Sequence, residues 1–129
     1  MNASVKTLES GTILNLSDVL SVVVRTNWGK EQFLPGHTGL LTILKPCVVY
    51  IETGDGTQAL LLENGLLEID SQSNVKIMTE KCHRKDTFKK TVEDLAEEIK
   101  NIDCSAGPSS EYETLASELE FAEFVNKSQ

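Results

Sequence analysis

The chain has 129 residues, of which 40% are hydrophobic and only 5% aromatic, so we expect a small core built mainly from Val, Leu and Ile. The formal net charge of −8 argues against nucleic acid as a partner, because phosphate contacts require clustered Lys and Arg. No apolar run in the sequence approaches the ~20 residues that span a bilayer, so we expect no direct bilayer insertion.

The cysteines and the amino terminus bear on the compartment. Cys47, Cys82 and Cys104 are odd in number and far apart, whereas a secreted disulfide scaffold has an even, denser set. Residues 1–6 contain neither a basic stretch leading into a long apolar run nor an Arg-rich amphipathic segment. We therefore expect free thiols, a reducing compartment, and neither secretion nor import.

Residues 1 to about 80 have the pattern of a series of short strands. Apolar runs rich in β-branched residues are separated by turn signals, and Gly54, Asp55 and Gly56 suit a hairpin because glycine adopts positive φ without strain. The runs cover residues 19–24, 40–44, 48–51, 59–62, 65–69 and 75–78. This spacing is typical of a sandwich or a barrel.

After residue 85 the hydrophobic period becomes helical. Charged residues separate one apolar series, which consists of Phe88, Val92, Leu95, Ala96, Ile99 and Ile102. We expect a helix over about 86–103, with Asp86 or Thr87 as its N-cap. The segment 103–109 that follows has the composition of a loop.

A second helix is predicted over about 110–126, where Ser110 and Glu113 form a capping-box pattern. Its apolar stripe contains Tyr112, Leu115, Ala116, Leu119, Ala122 and Val125, widened by Phe121 and Phe124. Two such helices joined by a short loop form an antiparallel hairpin. The sequence thus predicts an all-β sandwich over 1–84 followed by a C-terminal α-helical hairpin over 85–129.

Charge is distributed unevenly over the predicted hairpin. Residues 81–90 carry Lys81, Arg84, Lys85, Lys89 and Lys90 against Asp86, whereas residues 111–126 carry five glutamates and no base. We interpret the basic run as a solvated linker that also neutralises the acidic second helix. The alternative is a site for a nucleotide phosphate or an acidic partner.

The most distinctive segment, residues 29–46, reads GKEQFLPGHTGLLTILKP. It resembles the signature of the epsilon subunit of rotary ATP synthases, in which Pro-Gly-His, Leu-Leu-Thr and Lys-Pro-Gly recur in this order. Residues 63–69 (ENGLLEI) are similar to that family's Gly-Gly-Phe-Leu-Glu-Val strand, and residues 75–78 lie where its last strand would be. The helical hairpin also follows at the family's position, so the resemblance covers most of the chain.

Similarity to this family implies a β-sandwich bound to the gamma subunit of the central stalk, with its lower edge on the membrane rotor ring of c subunits. It implies a non-catalytic subunit, without an active site, that turns with the rotor and couples proton flow to ATP synthesis. Such a protein is peripheral on the cytoplasmic face of the bacterial inner membrane, or on the equivalent organelle membrane. The implied rotor-interface residues are Trp28, Gly29, Lys30, Pro35, Gly36 and His37.

Departures from the family pattern bear on regulation. In that family the hairpin lies against the sandwich or extends towards the catalytic alpha/beta ring and brakes ATP hydrolysis. Some members bind ATP through an Ile/Leu-Asp-x-x-Arg-Ala pattern, but residues 88–92 read FKKTV, so we expect neither nucleotide nor another cofactor. In the family's brake, basic residues of the second helix meet an acidic segment of the catalytic ring. This helix is acidic and would be repelled, so we expect little inhibition by that route.

Two further departures lie in the signature itself. Cys47 stands where the family's Lys-Pro-Gly has its glycine. Residues 29–32, GKEQ, stand where the family has Gly-Glu-Leu-Gly, so the second glycine of that turn is lost.

Two other classes of protein remain as alternatives. The Pro-Gly-His turn in an all-β context suggests a small metal-dependent β-barrel enzyme, but His37 is accompanied only by His83, and such a site needs three or four clustered ligands. We expect His37 to make a hydrogen bond that fixes its loop, and we expect no metal. The second alternative is a free-standing adaptor whose hairpin grips a partner helix.

Overall fold

The computed structural model describes residues 1–26, 28–36, 39–84, 88, 91–101 and 110–127, with only the backbone described at 110–112 and 127. The strands are β1 (Ala3–Thr7), β2 (Gly11–Leu16), β3 (Val19–Thr26), β4 (Gly29–Phe33), β5 (Leu40–Leu44), β6 (Cys47–Thr53), β7 (Gly56–Leu62), β8 (Gly65–Ile69), β9 (Val75–Thr79) and β10 (Cys82–His83). The helices α1 (Val92–Lys100) and α2 (Ser110–Lys127) follow. This order confirms the predicted β-then-α fold.

The strands form one hydrogen-bonded sheet in the order β10-β7-β6-β3-β5-β8-β9-β1-β2, and β4 pairs with β3 outside this path. The pairings within it are antiparallel, apart from the parallel pair of β1 and β9. Strand β3 pairs with β6 over its first half but reaches β5 only at Thr26, opposite Leu44. The sheet therefore turns at β3 and folds over a single core.

The core follows from the alternation of side chains along each strand. Leu67 and Ile69 of β8, like Val75 and Ile77 of β9, point inwards and are buried, while the residues between them face outwards. Phe33 is the aromatic member of this core cluster, and aliphatic side chains make up most of the rest. The expectation of a core built mainly from Val, Leu and Ile is confirmed.

Glycine is required at one position by close packing between strands. A Cβ atom on Gly65 would collide with the backbone carbonyl oxygen of Met78 and would crowd the Cβ of Thr79. Position 65 therefore accepts no side chain unless β8 and β9 move apart.

All six apolar runs identified in the sequence lie in strands, and two of them match β5 and β8 residue for residue. The sequence did not single out β1, β2, β4 or the two-residue β10. Strand β4 has the sequence GKEQF and buries only Phe33. A polar edge strand of this kind is held mainly by its hydrogen bonds to β3, so hydrophobic periodicity does not detect it.

The predicted start of the first helix near residue 86 is wrong. Thr91 is the N-cap, with an extended backbone and a side-chain oxygen that accepts from the amide of Asp94 at 3.2 Å. Phe88 precedes the helix, and its amide bonds to the carbonyl of Arg84 at 3.1 Å. The predicted N-caps Asp86 and Thr87, and the loop 102–109, lie outside the described residues.

The second helix ends within one residue of its predicted boundary. Leu95 of α1 packs with Leu115 and Ala122 of α2, which joins the two helices. Phe121 lies on another part of α2 and packs with Val48, Ala59 and Leu61 of the sandwich. The hairpin thus lies against the sheet through α2.

Candidate docking surfaces

An exposed apolar area covers the outer side of β5, β8 and β9. Ile43 is paired with Leu66, and Leu66 is paired with Met78, so the three side chains stand in one row across the strands. With Leu8, just beyond β1, they form what we call the apolar face, whose four side chains are between 44% and 76% exposed. A groove of about 510 Å³ runs along it. No docking face was predicted from the sequence, although apolar residues at the outward positions of these strands indicate one.

Three of the predicted rotor-interface residues lie at the β3–β4 turn. Trp28 is 88% exposed, Gly29 begins β4 with a φ of 104°, and Lys30 is exposed. The buried Thr26 fixes this turn, because its Oγ1 accepts from the Trp28 amide at 3.1 Å and donates to the Gly29 carbonyl at 3.5 Å. Trp28 is therefore held at the tip of a hydrogen-bonded turn.

The other predicted rotor-interface residues follow the opposite end of β4. Pro35 and Gly36 are exposed, and Gly36 has a φ of 97°. His37 lies outside the described residues. At ~3.3 Å per residue along a strand, Trp28 and Pro35 are roughly 20 Å apart. The predicted residues thus form two separate groups.

Polar contacts between described residues join α2 to the sandwich. Lys45 and Glu113 form an ion pair at 3.0 Å, and the Ser117 hydroxyl donates to the Pro46 carbonyl at 2.7 Å. The Tyr50 hydroxyl donates to a Glu120 carboxylate oxygen at 2.8 Å. Burial raises the pKa of Tyr50, and the hydrogen bond to Glu120 raises it further, so this phenol keeps its proton.

Aromatic rings surround the apolar part of the same contact. Phe121 is fully buried, and its ring meets that of Phe88 edge-on with centroids 5.2 Å apart. Tyr50 and Phe124 make a similar contact at 5.7 Å, and His83 and Phe88 make one at 6.0 Å. Edge-to-face geometry is favourable for aromatic pairs, so these rings add to the apolar burial that holds α2.

A crevice of about 310 Å³ lies between α2 and the β3–β4 hairpin. The sandwich side contributes Arg25, Lys30 and Lys45, and α2 contributes Glu113 and Glu120. In the described part of the chain, the cation that forms an ion pair with α2 is Lys45, which lies outside the basic run 81–90. Lys85, Lys89 and Lys90 of that run lie outside the described residues, so the neutralisation we assigned to it stays a prediction.

Cys47 and Cys82 are free thiols, and Cys104 lies outside the described residues. Burial raises the pKa of Cys82 to about 11, and it also raises that of Cys47. Both thiols are therefore poorly reactive near neutral pH. The described part of the chain contains no group of three or more His, Cys, Asp or Glu side chains placed to hold a metal.

Comparison with known proteins identifies the family. Residues 6–85 match the model of the β-sandwich domain of the ATP synthase delta/epsilon chain, which covers nearly all of the sandwich. The chain belongs to this family. The resemblance inferred from the 29–46 segment is confirmed.

Two curated relatives are ATP synthase epsilon chains from bacteria. The one from Cutibacterium acnes is 33% identical over 66 residues, which are 50% of this chain and 45% of the relative. The one from Vesicomyosocius okutanii is 38% identical over 52 residues, which are 40% of this chain and 38% of the relative. The chain thus spans less than half the length of the curated relatives it matches.

Two solved structures share the fold. A chain of the Euglena gracilis mitochondrial ATP synthase structure (OSCP/F1/c-ring) superposes with a TM-score of 0.68 at 19% identity, over 98% of this chain and 79% of that one. A chain of the Tetrahymena thermophila mitochondrial ATP synthase central stalk and c-ring gives 0.56 at 17% identity, over 99% and 95%. Among the described helices, none is long and apolar enough to cross a membrane.

Proposed function

We propose that the chain is a non-catalytic central-stalk subunit of a proton-translocating ATP synthase, which couples rotation of the rotor to ATP synthesis. The observation that carries this proposal is the family match over residues 6–85, which spans nearly all of a folded sandwich. The name of both curated relatives, ATP synthase epsilon chain, supports it. In this role the protein is peripheral on the cytoplasmic face of a bacterial inner membrane, or on the equivalent organelle membrane, and carries no cofactor.

The apolar face is the proposed contact with the gamma subunit. Its members are Leu8, Ile43, Leu66 and Met78, four large apolar side chains clustered on the outside of the sheet. Contiguous exposed apolar patches are uncommon on monomeric proteins and mark interaction sites. Burial of this face supplies the affinity, at ~25 cal/mol per Å² of apolar surface removed from water.

The rotor ring of c subunits is the proposed partner of the two exposed groups beside β4, Trp28 to Lys30 and Pro35 to His37. Because these groups lie at opposite ends of a strand, both reach one flat ring surface only if β4 lies along that surface. Replacing Trp28 and Pro35 separately by Ala therefore tests the orientation. Loss of coupling in both variants supports an orientation along the ring, and loss in the Trp28 variant alone places the strand end-on.

The hairpin is proposed as a separate unit over 85–129 that regulates rather than docks. Its glutamates Glu113 and Glu120 face Lys45 and Tyr50 of the sandwich, so part of its negative charge is used in packing against residues 1–84. We expect weak inhibition of hydrolysis at most, because an acidic helix gains no attraction from an acidic partner segment.

Co-purification with the ATP synthase tests this function, comparing the full chain with one truncated after Arg84. Assembly of both forms identifies the sandwich as the docking module, and a rise in ATP hydrolysis in the truncated form would show that the hairpin is a brake, against our expectation. If neither form joins the stalk, the proposed function is wrong.

A pair of full-length variants isolates the docking face. Leu66→Glu places a charge on the apolar face, and we expect it to abolish assembly, because a carboxylate is costly to bury at an interface. Gln58→Glu adds the same charge at an exposed position of β7, away from that face, and should assemble normally. Equal assembly of both variants would exclude the apolar face as the gamma contact.

A further inference from the structure

We propose that the β3–β4 hairpin docks on an acidic segment of a protein partner. The inference rests on the proposed function only for the identity of that partner, which would be the rotor ring. The chemistry of the surface follows from the chain itself.

Three cations stand in register across neighbouring strands. Arg25 of β3 is paired with Lys30 of β4, so the two side chains emerge on the same face. On the other side of β3, Thr26 is paired with Leu44, and the next amide, that of Lys45, donates to the carbonyl of Arg25 at 3.2 Å. We call Lys30, Arg25 and Lys45 the basic row, and all three line the crevice beside α2.

The basic row is only partly neutralised within the chain. Lys45 pairs with Glu113, whereas Arg25 and Lys30 form no ion pair with any described residue. Like charges directly opposite each other on paired strands are unfavourable. An anionic partner would relieve this repulsion on docking. Arg25 and Lys30 are therefore better suited to binding a partner than to stabilising the fold.

The tip of the same hairpin adds an aromatic side chain. Trp28 lies between Arg25 and Lys30 in sequence and is 88% exposed. The backbone of its turn is fixed by the two hydrogen bonds of Thr26, so little backbone entropy is lost when the tip is buried. Trp and Arg are the residue types most enriched among side chains that dominate interface energetics.

The overall charge favours a short acidic segment over an extended anionic surface. The chain carries a net charge of −8, so a membrane of anionic lipids or a nucleic acid would be repelled by most of the molecule. A short segment interacts mainly with groups within a Debye length of about 8 Å at physiological ionic strength. Arg25 and Lys30 are exposed to such a segment, while Glu113 and Glu120 line the α2 side of the crevice.

Carbodiimide crosslinking of the assembled ATP synthase tests the proposal directly. The reagent activates a carboxylate, the Lys30 amine attacks it, and an amide forms while the carbodiimide leaves as a urea that has taken up the oxygen. We expect an amide between Lys30 and an Asp or Glu of a partner, found by mass spectrometry. The Lys45–Glu113 pair at 3.0 Å gives an internal amide as the positive control.

Two variants separate contact from folding. Lys30→Arg keeps the charge but removes the amine, so it should lose the partner crosslink while the Lys45–Glu113 amide still forms. Arg25→Glu combined with Lys30→Glu should weaken binding at least about tenfold, whereas Lys81→Glu should not. Formation of the Lys45–Glu113 amide without any partner amide on Lys30 would overturn the proposal.

Two further measurements distinguish a wrong class of partner from a failure of the chain to join the complex. Trp28 is the single tryptophan, so its fluorescence reports on the tip. A shift with phosphatidylserine-containing vesicles that equals the shift with an oligo-glutamate peptide would overturn the preference for protein. If the chain does not join the complex, the proposed function fails, and the oligo-glutamate peptide alone tests the inference. An amide between Lys30 and the peptide then supports the inference, and absence of this amide overturns it.

Discussion

Tyr50 of β6 donates a hydrogen bond to Glu120 of α2 at 2.8 Å, and the same tyrosine ring meets Phe124 edge-on. One side chain thus contributes both a polar and an apolar contact to the attachment of the hairpin. Removing only the hydroxyl separates the two contributions.

Tyr50→Phe should weaken the attachment of α2 by about 1 kcal/mol, because a hydrogen bond to a charged group contributes roughly 1.5–3 kcal/mol and partial exposure reduces this. Amide hydrogen exchange of α2 is the measurement, and its protection should fall while the sandwich core is unchanged. Glu120→Gln keeps an acceptor without the charge and should give a smaller effect. Unchanged protection in Tyr50→Phe would show that the hydrogen bond contributes nothing.

Phe121→Ala should detach α2 from the sandwich. The ring is fully buried against Val48, Ala59 and Leu61, and Phe→Ala at such positions costs about 3–5 kcal/mol. Hydrogen exchange should show loss of protection in α2 but not in the core strands, because Phe121 is not part of the main core cluster. Phe124→Ala, at a partly buried position, is the matched control and should cost less. Global unfolding of the Phe121 variant would contradict this separation.

Gly65→Ala should destabilise the sandwich by about 1–3 kcal/mol, the usual cost of overpacking. The new methyl group would overlap the Met78 carbonyl, which belongs to the backbone and cannot rotate away. Urea unfolding measures the change. Gly54→Ala is the control, since the added Cβ there meets open space, and its effect should stay within about 0.5 kcal/mol. Equal midpoints for the two variants would contradict the close approach of β8 and β9.

Stability should fall as the pH rises above 9.0. Burial raises the pKa of Cys82 from 9.0 to about 11, so the folded chain retains a proton that the unfolded chain loses. The stabilisation is complete below pH 9.0 and is lost as the pH rises through about 11. Urea midpoints recorded across this window should decline, and Cys82→Ala should decline less.

The attachment of α2 to the sandwich should also weaken as the pH rises, because the pKa of Tyr50 is raised by burial and by Glu120. Exchange protection of α2 should therefore decline at alkaline pH in the native chain. In Tyr50→Phe this alkaline decline should be absent. A decline of equal size in both would assign it to another group.

The strands were predictable where burial imposes a period on the sequence. The runs at β5 and β8 match their predicted bounds because alternate residues face the core. Strand β4 was not predictable in this way, since only Phe33 is buried and its register depends on β3. The first helix begins later than predicted because Thr91 supplies its N-cap.

The docking surfaces were predictable only in part. The signature segment indicated Trp28 and Pro35 together, because they are close in sequence, but an intervening strand separates them in space. The basic row requires the register of three strands, and no single stretch of sequence contains it. Phe121 could be placed on the apolar stripe of a helix, yet its burial in the sandwich depends on which helix contacts the sheet.

The parallel pairing of β1 with β9 has a consequence for synthesis of the chain. Ala3 lies opposite Val75, so β1 forms this half of its pairing only after β9 has been synthesised. Until then β1 can form only its local hairpin with β2, and the far edge of β1 is open to other strands. Contacts between such distant segments slow folding. The nascent sandwich therefore passes through a period in which its incomplete sheet presents an open strand edge, and such edges are prone to pair with other chains.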